Sequence, residues 1–567
     1  MQKLFILILA LCTASLHAEV KLQKQGTATQ LVVNGKPMLL LGGELSNSAA
    51  TSVADIDKVM PRMHKLGLNT VFVPAYWEFI EPQEGKFDFT LVDRVITKAR
   101  ENDLKIVFLW FGAWKNSMSC YAPAWFKTDT KRFPRSLTET GKPLEIASCF
   151  SDNVLQADKR AFCKLMEHLK ATDSRENTVV MMQVENEIGM LESARDFSPL
   201  ANAAYKQQVP KELIAALSKG NGSKGAGNGT DNGLKAKQGT WAEVFGSDVY
   251  GQEKFQAYWY AKYVEQIAKA GKAVYDIPMY VNAAMNSRGR KPGEYPSAGP
   301  LAHLFNIWKH AAPSIDVCAP DIYDNGYKGW VSQYKTATNP FLTPEVRLGD
   351  YCGVRAIYTF GELDAISYSP FAIDQGADQT TSHVTQGYSI LSALTPWLTD
   401  HQGQGKTWGL LFDQQDKERV INDGNVVMTC RHFFTLPWDP RATDGSAWPE
   451  GGGLIMRLAK NEYIIAGSGV VVTFQTASEK QQSEEKKLGE DGFVDNGNET
   501  NKNAAKTNAK RFTGKRLGLA SVDQITVNAD GTPQLLRRDN GDQSHQGRHA
   551  RISCGEYKIL HVKLYEY

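Results

Sequence analysis

The chain has 567 residues, 42% of them apolar and 22% charged, which is more than one hydrophobic core usually organises and predicts two or three domains. With 64 Lys and Arg against 62 Asp and Glu, the formal net charge is +2, so there is no overall electrostatic footprint for nucleic acid or an anionic membrane surface.

The first 18 residues read as a leader peptide. Lys3 precedes an apolar run from Leu4 to Leu11, and small or polar residues continue to Ala18. The run is too short to span a bilayer, and no later segment predicts a membrane span. The expectation is an exported protein, periplasmic or extracellular. A lipid anchor at Cys12 is disfavoured, because Leu11 stands where a small residue is wanted. Seven cysteines follow. They contain no CxxC pair, and apart from a possible Cys120–Cys149 bridge they read as small buried hydrophobes.

From Met38 to about Asp374, short β-rich runs alternate with helical patterns, which predicts a parallel sheet with crossover helices. Eight strands are expected, ending at Leu45, Trp77, Gly112, Glu187, Ala284, Tyr323, Val346 and Phe371. Most are continuously apolar, as strands covered on both faces should be. A helix carrying Val53, Ile56, Val59, Met60 and Met63 is expected to kink or stop at Pro61. Between Met190 and Trp241 a Gly/Asn-rich stretch predicts a mobile rim loop.

After about residue 400 the texture changes to short β-like runs separated by turn-rich segments, among them WGLLF, VVMTC and YKILHVKLY. Within this part, Ser478 to Arg511 reads as a solvated loop. The predicted fold class is α/β: a (β/α)8 TIM barrel over residues 19–400, then a β-sandwich-like domain over 401–567.

On such a barrel, chemistry is carried by side chains at strand C-terminal ends. Two acids stand there: Glu187 closes the fourth strand in QVENEIG, and Glu345 closes the seventh in FLTPEVRLGD. Paired strand-end carboxylates are what double-displacement glycoside hydrolysis requires. Asn186 beside Glu187 is a candidate hydroxyl partner, and Glu185 is expected deeper on the same side as a supporting group. Tyr323, in PDIY, is placed to reach the nucleophile or the sugar. Trp77 and Trp114 are candidate sugar platforms, Glu78 a hydroxyl acceptor, and Asn47 a weaker candidate on the first-strand loop. The 11 His contain no HExxH or HxH pair and none ends a predicted strand, so no metal or organic cofactor is expected.

Several stretches resemble glycoside hydrolase family 35, the β-galactosidases of clan A. YWEFIEPQEGKFDF is similar to that family's second-strand signature, APAWF to its LPAWL, and QVENEIG to its VENEYG, in that order along residues 30–375. GGELSNSAA, WKNSMS, PEVRLGD and AISYSPFAID are closest to the bacterial branch with a distinctive C-terminal β domain. The resemblance implies Glu187 as acid/base and Glu345 as nucleophile, releasing terminal β-linked galactose from oligosaccharides or polysaccharide side chains with retention. Two departures bear on the sugar. Ala113 stands where many members carry Glu before Trp, leaving Lys115 and Asn116 as the nearest polar groups, and Glu78 stands where Asn is common. The alternatives are another β-glycosidase, acting on β-glucosaminide, β-glucoside or α-arabinoside, or a carbohydrate-binding barrel without turnover.

Overall fold

A computed structural model describes residues 19–219, 234–286, 289–486 and 513–567. The leader-like segment, the Gly/Asn-rich stretch at 220–233 and the polar stretch at 487–512 therefore lie outside the described residues.

The eight expected strands are present and parallel: β1 (Leu40–Leu41), β2 (Thr70–Tyr76), β3 (Lys105–Phe111), β4 (Val179–Gln183), β5 (Met279–Ala284), β6 (Val317–Ile322), β7 (Thr343–Val346) and β8 (Ser367–Pro370). They pair in the order β1-β8-β7-β6-β5-β4-β3-β2. The ring closes just beyond β1, where Phe72 N–H donates to Gly43 and Leu45 N–H donates to Phe72. Nearly every strand residue is buried, which the continuous apolar runs anticipate.

A crossover helix follows each strand, with further short helices in some loops: α1 (Val53–Lys65), α2 (Thr90–Glu101), α3 (Asp152–Asp173), α4 (Val249–Val274), α5 (Phe305–Ala311), α6 (Tyr327–Tyr334), α7 (Cys352–Leu363) and α8 (Asp378–His401). The helix α1 runs through Pro61 instead of ending there. Burial of Ile56, Met60 and Met63 on one face offsets the lost backbone bond, a cost of about 3 kcal/mol in a helix interior. An antiparallel sheet of Val20–Gln25, Ala28–Val33 and Lys36–Met38, which the sequence reading did not anticipate, lies at the strands' N-terminal end, where Asn177 before β4 donates to Asn34 (2.6 Å). No described helix is long and apolar enough to cross a membrane. All seven cysteines are free thiols, so the Cys120–Cys149 bridge does not form.

The C-terminal part is all-β apart from short helices. A six-stranded antiparallel sheet (407–412, 451–459, 462–468, 558–566, 517–527 and 533–538 in spatial order) faces a four-stranded one (418–423, 426–432, 470–476 and 550–552). Leu410, Phe412, Ile455, Ile465, Met428, Val470, Val472 and Leu560 fill the layer between them. The other face of the larger sheet, with Leu411, Leu454, Met456 and Ala466, joins the barrel core. There Gly361 on α7 permits close approach, since a Cβ would sit 2.6 Å from Leu454 Cβ. Arg355 pairs bidentately with Glu450 across the same junction (2.7 and 2.5 Å).

One expectation fails here. The start of the supposed solvated loop is a helix, Ala477–Lys486. Thr476 Oγ1 accepts from Glu479 N–H (3.1 Å), a Thr-x-x-Glu helix start that the charge run concealed. The Gly/Asn-rich stretch at 220–233 lies outside the described residues, and the helices Pro199–Tyr205 and Lys211–Lys219 precede it, the second burying Leu213, Ile214 and Leu217.

Candidate active site

Beyond Gln183 the β4 strand stops and the chain turns sharply. Glu185 (φ 61°) and Glu187 (φ 47°) both adopt the left-handed conformation, as do Asn116 (φ 51°) and Ser117 (φ 58°) in the loop after β3. Each such residue costs about 1–2 kcal/mol unless neighbours hold it. The two loops hold each other. Asn186 N–H donates to Trp114 (3.2 Å), Asn116 N–H to Asn186 (3.2 Å), and Ser117 N–H to Glu187 (3.3 Å). Asn282 on β5 completes the clamp, its Oδ1 accepting from Glu187 N–H (2.9 Å).

This turn carries the Glu187 carboxyl over the barrel mouth. Glu187, Asp321 on β6 and Glu345 on β7 are all buried, and each offers an oxygen within 4.8 Å of the other two. Asn116 Nδ2 donates to Glu187 Oε2, and Tyr323 OH donates to Glu345 Oε1. The Glu187 carboxyl also hydrogen-bonds Asp321. Asp321 Oδ2 in turn accepts from Asn282 Nδ2 (2.6 Å). A fourth acid, Glu44 just beyond β1, is completely buried and hydrogen-bonded to Glu345. The nearby cation is Lys115, buried itself, whose Nζ donates to Asn186 Oδ1 (3.0 Å).

Four buried carboxyls facing one ammonium cannot all be ionised. Burial first, then the Glu187 charge, push Glu345 from 4.5 up to about 7, against the opposing pull of Lys115 and the hydrogen bonds from Tyr323 and Glu44. Burial, followed by the Glu345 charge, raises Asp321 and Glu44 well above the usual carboxylate range. The same two causes raise the Tyr323 phenol, which therefore stays a proton donor to Glu345. A consequence is measurable. If ionised Glu345 is the attacking group, kcat/KM should fall as pH drops through about 7, an acid limb displaced upward from the ordinary 4.5. A pH profile between 4 and 9 checks it; a limb near 4.5 contradicts it.

Oxygens at this spacing are of the kind a hard cation accepts. Here, however, Asp321 Oδ2 and Glu345 Oε1 already accept protein donors, and the set lacks histidine, so we assign no ion to it.

Of the residues singled out from the sequence, Glu187, Glu345, Asn116, Asn186 and Tyr323 come together. Asn186 Nδ2 is buried with no protein acceptor, leaving a donor free for a ligand. Asn47 and Glu78 are each half-buried. Asn47 accepts from Tyr76 OH through its backbone oxygen (2.8 Å), and its Oδ1 is buried without a donor. Burial raises the Glu78 carboxyl, with Lys127 opposing.

The two tryptophans are corrections. Trp114 is fully buried, edge-on to Tyr260 and Tyr263 of α4, and Trp77 packs on Trp110, Trp125 and Phe126 while donating to Glu81 (2.9 Å). Both serve the helix layer, so neither offers a face to a sugar. Glu185 is a second correction. Strand alternation would aim it into the mouth, but β4 has ended and its left-handed backbone turns the side chain towards α3. There it accepts from Trp114 N–H (2.7 Å) and shares a hydrogen bond with Asp158, whose other partners are Trp110 (2.8 Å) and Tyr263 (2.7 Å). It supports the site from behind.

Glu44, Asp321 and Asn282 escaped the sequence reading. A signal existed for two of them. Asp321 lies two residues before Tyr323, on the same strand face, and Asn282 is the polar residue in an otherwise apolar β5.

Residues 49–219 match the family model described as beta-galactosidase (glycoside hydrolase family 42), and residues 384–551 match one described as a domain of unknown function. The chain is 34% identical over 92 residues to "Beta-galactosidase 14" of Arabidopsis thaliana, covering 15% of this chain and 10% of that protein. It is 39% identical over 62 residues to a beta-galactosidase of Xanthomonas manihotis, covering 11% and 10%. The chain thus matches a tenth of the length of these curated relatives. Solved beta-galactosidases from Marinomonas ef1 and Rahnella sp. R3 superpose with TM-scores of 0.43 and 0.42 at 11% and 16% identity. Each superposition covers 63% of this chain, and 60% and 56% of those chains respectively. The likeness is to β-galactosidases, and the matching model is that of family 42, where the motifs resembled family 35.

Proposed function

We propose that the chain is a retaining exo-glycosidase that releases terminal β-linked galactose, with Glu345 as nucleophile and Glu187 as acid/base. The observation that carries the reading is the pair of buried carboxyls at the ends of β4 and β7, with oxygens within 4.8 Å of each other. Retaining enzymes hold their two carboxyls about 5–5.5 Å apart, whereas inverting ones leave roughly 6.5–9.5 Å for a water.

In the first step a Glu345 oxygen attacks the anomeric carbon as the glycosidic bond breaks, and Glu187 gives its proton to the departing oxygen. The product is a glycosyl ester on Glu345, whose charge has gone. In the second step Glu187 takes a proton from water, the hydroxide oxygen bonds the anomeric carbon, and Glu345 leaves as a carboxylate. Tyr323 donates to Glu345 in its ionised state, and Asn116 orients Glu187. Asn186 Nδ2 is the free donor nearest the acid for a sugar hydroxyl. No step calls for a metal or an organic cofactor. The leader-like segment ending at Ala18 supports export, and so a glycan outside the cytoplasm as substrate.

The test is the anomeric configuration of the first-formed product from p-nitrophenyl β-D-galactopyranoside, followed by proton NMR with EDTA present. The β-anomer should appear first, at a rate EDTA does not reduce. The α-anomer first would exclude double displacement. A panel of nitrophenyl glycosides decides the sugar. The replacement of Glu by Ala113, together with the use of Asn116 on Glu187, makes a β-glucoside, β-glucosaminide or α-arabinoside the second choice.

A further inference from the structure

We propose that Glu44 is a neutral carboxylic acid that donates its proton to Glu345, and is thereby a positioning residue for the nucleophile. The inference rests on the reading of Glu345 as that nucleophile.

Glu44 follows β1 and is pinned at the point where the barrel closes. Its backbone bridges Phe72 on one side and Phe371 on the other. Its N–H donates to Pro370 (2.9 Å), and its carbonyl accepts from Ile373 (3.2 Å). The side chain is wholly buried, and among the described residues neither carboxyl oxygen receives a hydrogen bond from any amide, hydroxyl or cationic group. Its partner is the Glu345 carboxyl. Oε2 of Glu345 is in the same condition, buried and without a donor of any other kind, while Oε1 is taken by Tyr323.

Two carboxyls in hydrogen-bond contact must have a proton between them, since two carboxylates offer only acceptors. Which one holds it follows from their surroundings. Glu345 has a phenol donor and the field of Lys115 to support a charge; an ionised Glu44 would have no donor at all and would face Glu345 at contact. The other charged or titratable groups facing this pair are Glu187 after β4, Tyr280 on β5, Asp321 on β6 and Tyr323 just after it. Lys115 is the cation among them. The proton therefore belongs on Glu44. With Tyr323 on one oxygen and Glu44 on the other, the plane of the attacking carboxylate is fixed, and the same two donors receive its charge when the glycosyl ester breaks. Glu44 gives up no proton in either step.

The test compares Glu44→Gln, which keeps the shape and a donor, with Glu44→Leu, which keeps the bulk and removes the donor. Thermal unfolding first establishes that both fold. Three readouts follow. In the infrared, a protonated-carboxyl C=O band should appear in the difference between wild type and Glu44→Gln at pH 7, without any substrate. A 2-deoxy-2-fluoro-galactosyl fluoride should label Glu345 in all three proteins, and Glu44→Leu should label about 10–100-fold more slowly than Glu44→Gln, the worth of a hydrogen bond to a charged group. The acid limb of kcat/KM should move upward in Glu44→Leu and stay in place in Glu44→Gln, with KM similar in both. Absence of the infrared band overturns the protonation of Glu44. Equal labelling rates and equal acid limbs in the Gln and Leu variants overturn its donation to Glu345. A rise in KM without a shifted limb assigns Glu44 to sugar binding instead, and also overturns it. If the fluoride labels another residue, the nucleophile reading fails, while the infrared result still stands on its own.

Discussion

Glu345→Gln is expected to lower kcat on p-nitrophenyl β-D-galactopyranoside by about 10,000-fold or more, because the group that forms the covalent bond is gone. Gln is nearly isosteric and still accepts from Tyr323, so the fold should survive. It should in fact gain stability at neutral pH. Glu345 has a folded value of about 7 against an ordinary 4.5, so the native state binds its proton more tightly than the unfolded chain. Such a group costs stability as pH rises from 4.5 through about 7, and costs nothing below that window. The unfolding midpoint of Glu345→Gln should therefore exceed wild type at pH 8, with the gain fading towards pH 4. A buried nucleophile held against its own solvation is the usual trade of stability for activity. An inactive variant that is also less stable at pH 8 would point to a structural role.

Glu187→Gln is expected to behave differently, and the difference identifies the acid/base. General acid catalysis is worth about 100- to 10,000-fold. A p-nitrophenolate leaves with little help, so glycosylation of Glu345 should be slowed least on this substrate and most on an alkyl galactoside. The second step loses its base, and the glycosyl ester should accumulate. Added azide needs no deprotonation, so it should restore turnover and yield β-galactosyl azide. Rescue of Glu345→Gln in its place, with an α-azide, would exchange the two roles. No turnover by folded wild type on any glycoside would favour a binding protein.

The positions of both acids were legible in the primary structure because a parallel barrel converts a one-dimensional pattern into a location. A Glu that closes a continuously apolar run must emerge at the C-terminal mouth, and two such runs, the fourth and the seventh, place two acids there. Tyr323 followed for the same reason. The pattern failed where the chain left its strand. Period-two alternation holds only while the backbone is extended, and β4 ends at Gln183. Past that point the left-handed turns at Glu185 and Glu187 send one acid backward to Asp158 and the other forward to Glu345. Trp114 was misjudged similarly. It stands next to the site in sequence, yet its ring faces Tyr260 and Tyr263 on α4.

Hydrophobic periodicity, strand-end chemistry and the change of texture near residue 400 are local properties, and they suffice to read the barrel, the β-rich region after it and the two strand-end acids from the primary structure. The strand Pro533–Arg538, exposed at every position, carries no alternation and so lay beyond that kind of reading. The company these acids keep is a matter of tertiary structure. Glu44, Asp321 and Lys115 come from β1, β6 and the loop after β3, separated by up to 277 positions in the chain, and meet because the barrel closes. Ionisation in a buried site depends on every charge and donor within a few ångströms, whatever its place in the sequence. That is why Glu187 and Glu345 could be picked out residue by residue, whereas the proton inventory around them required the assembled mouth of the barrel.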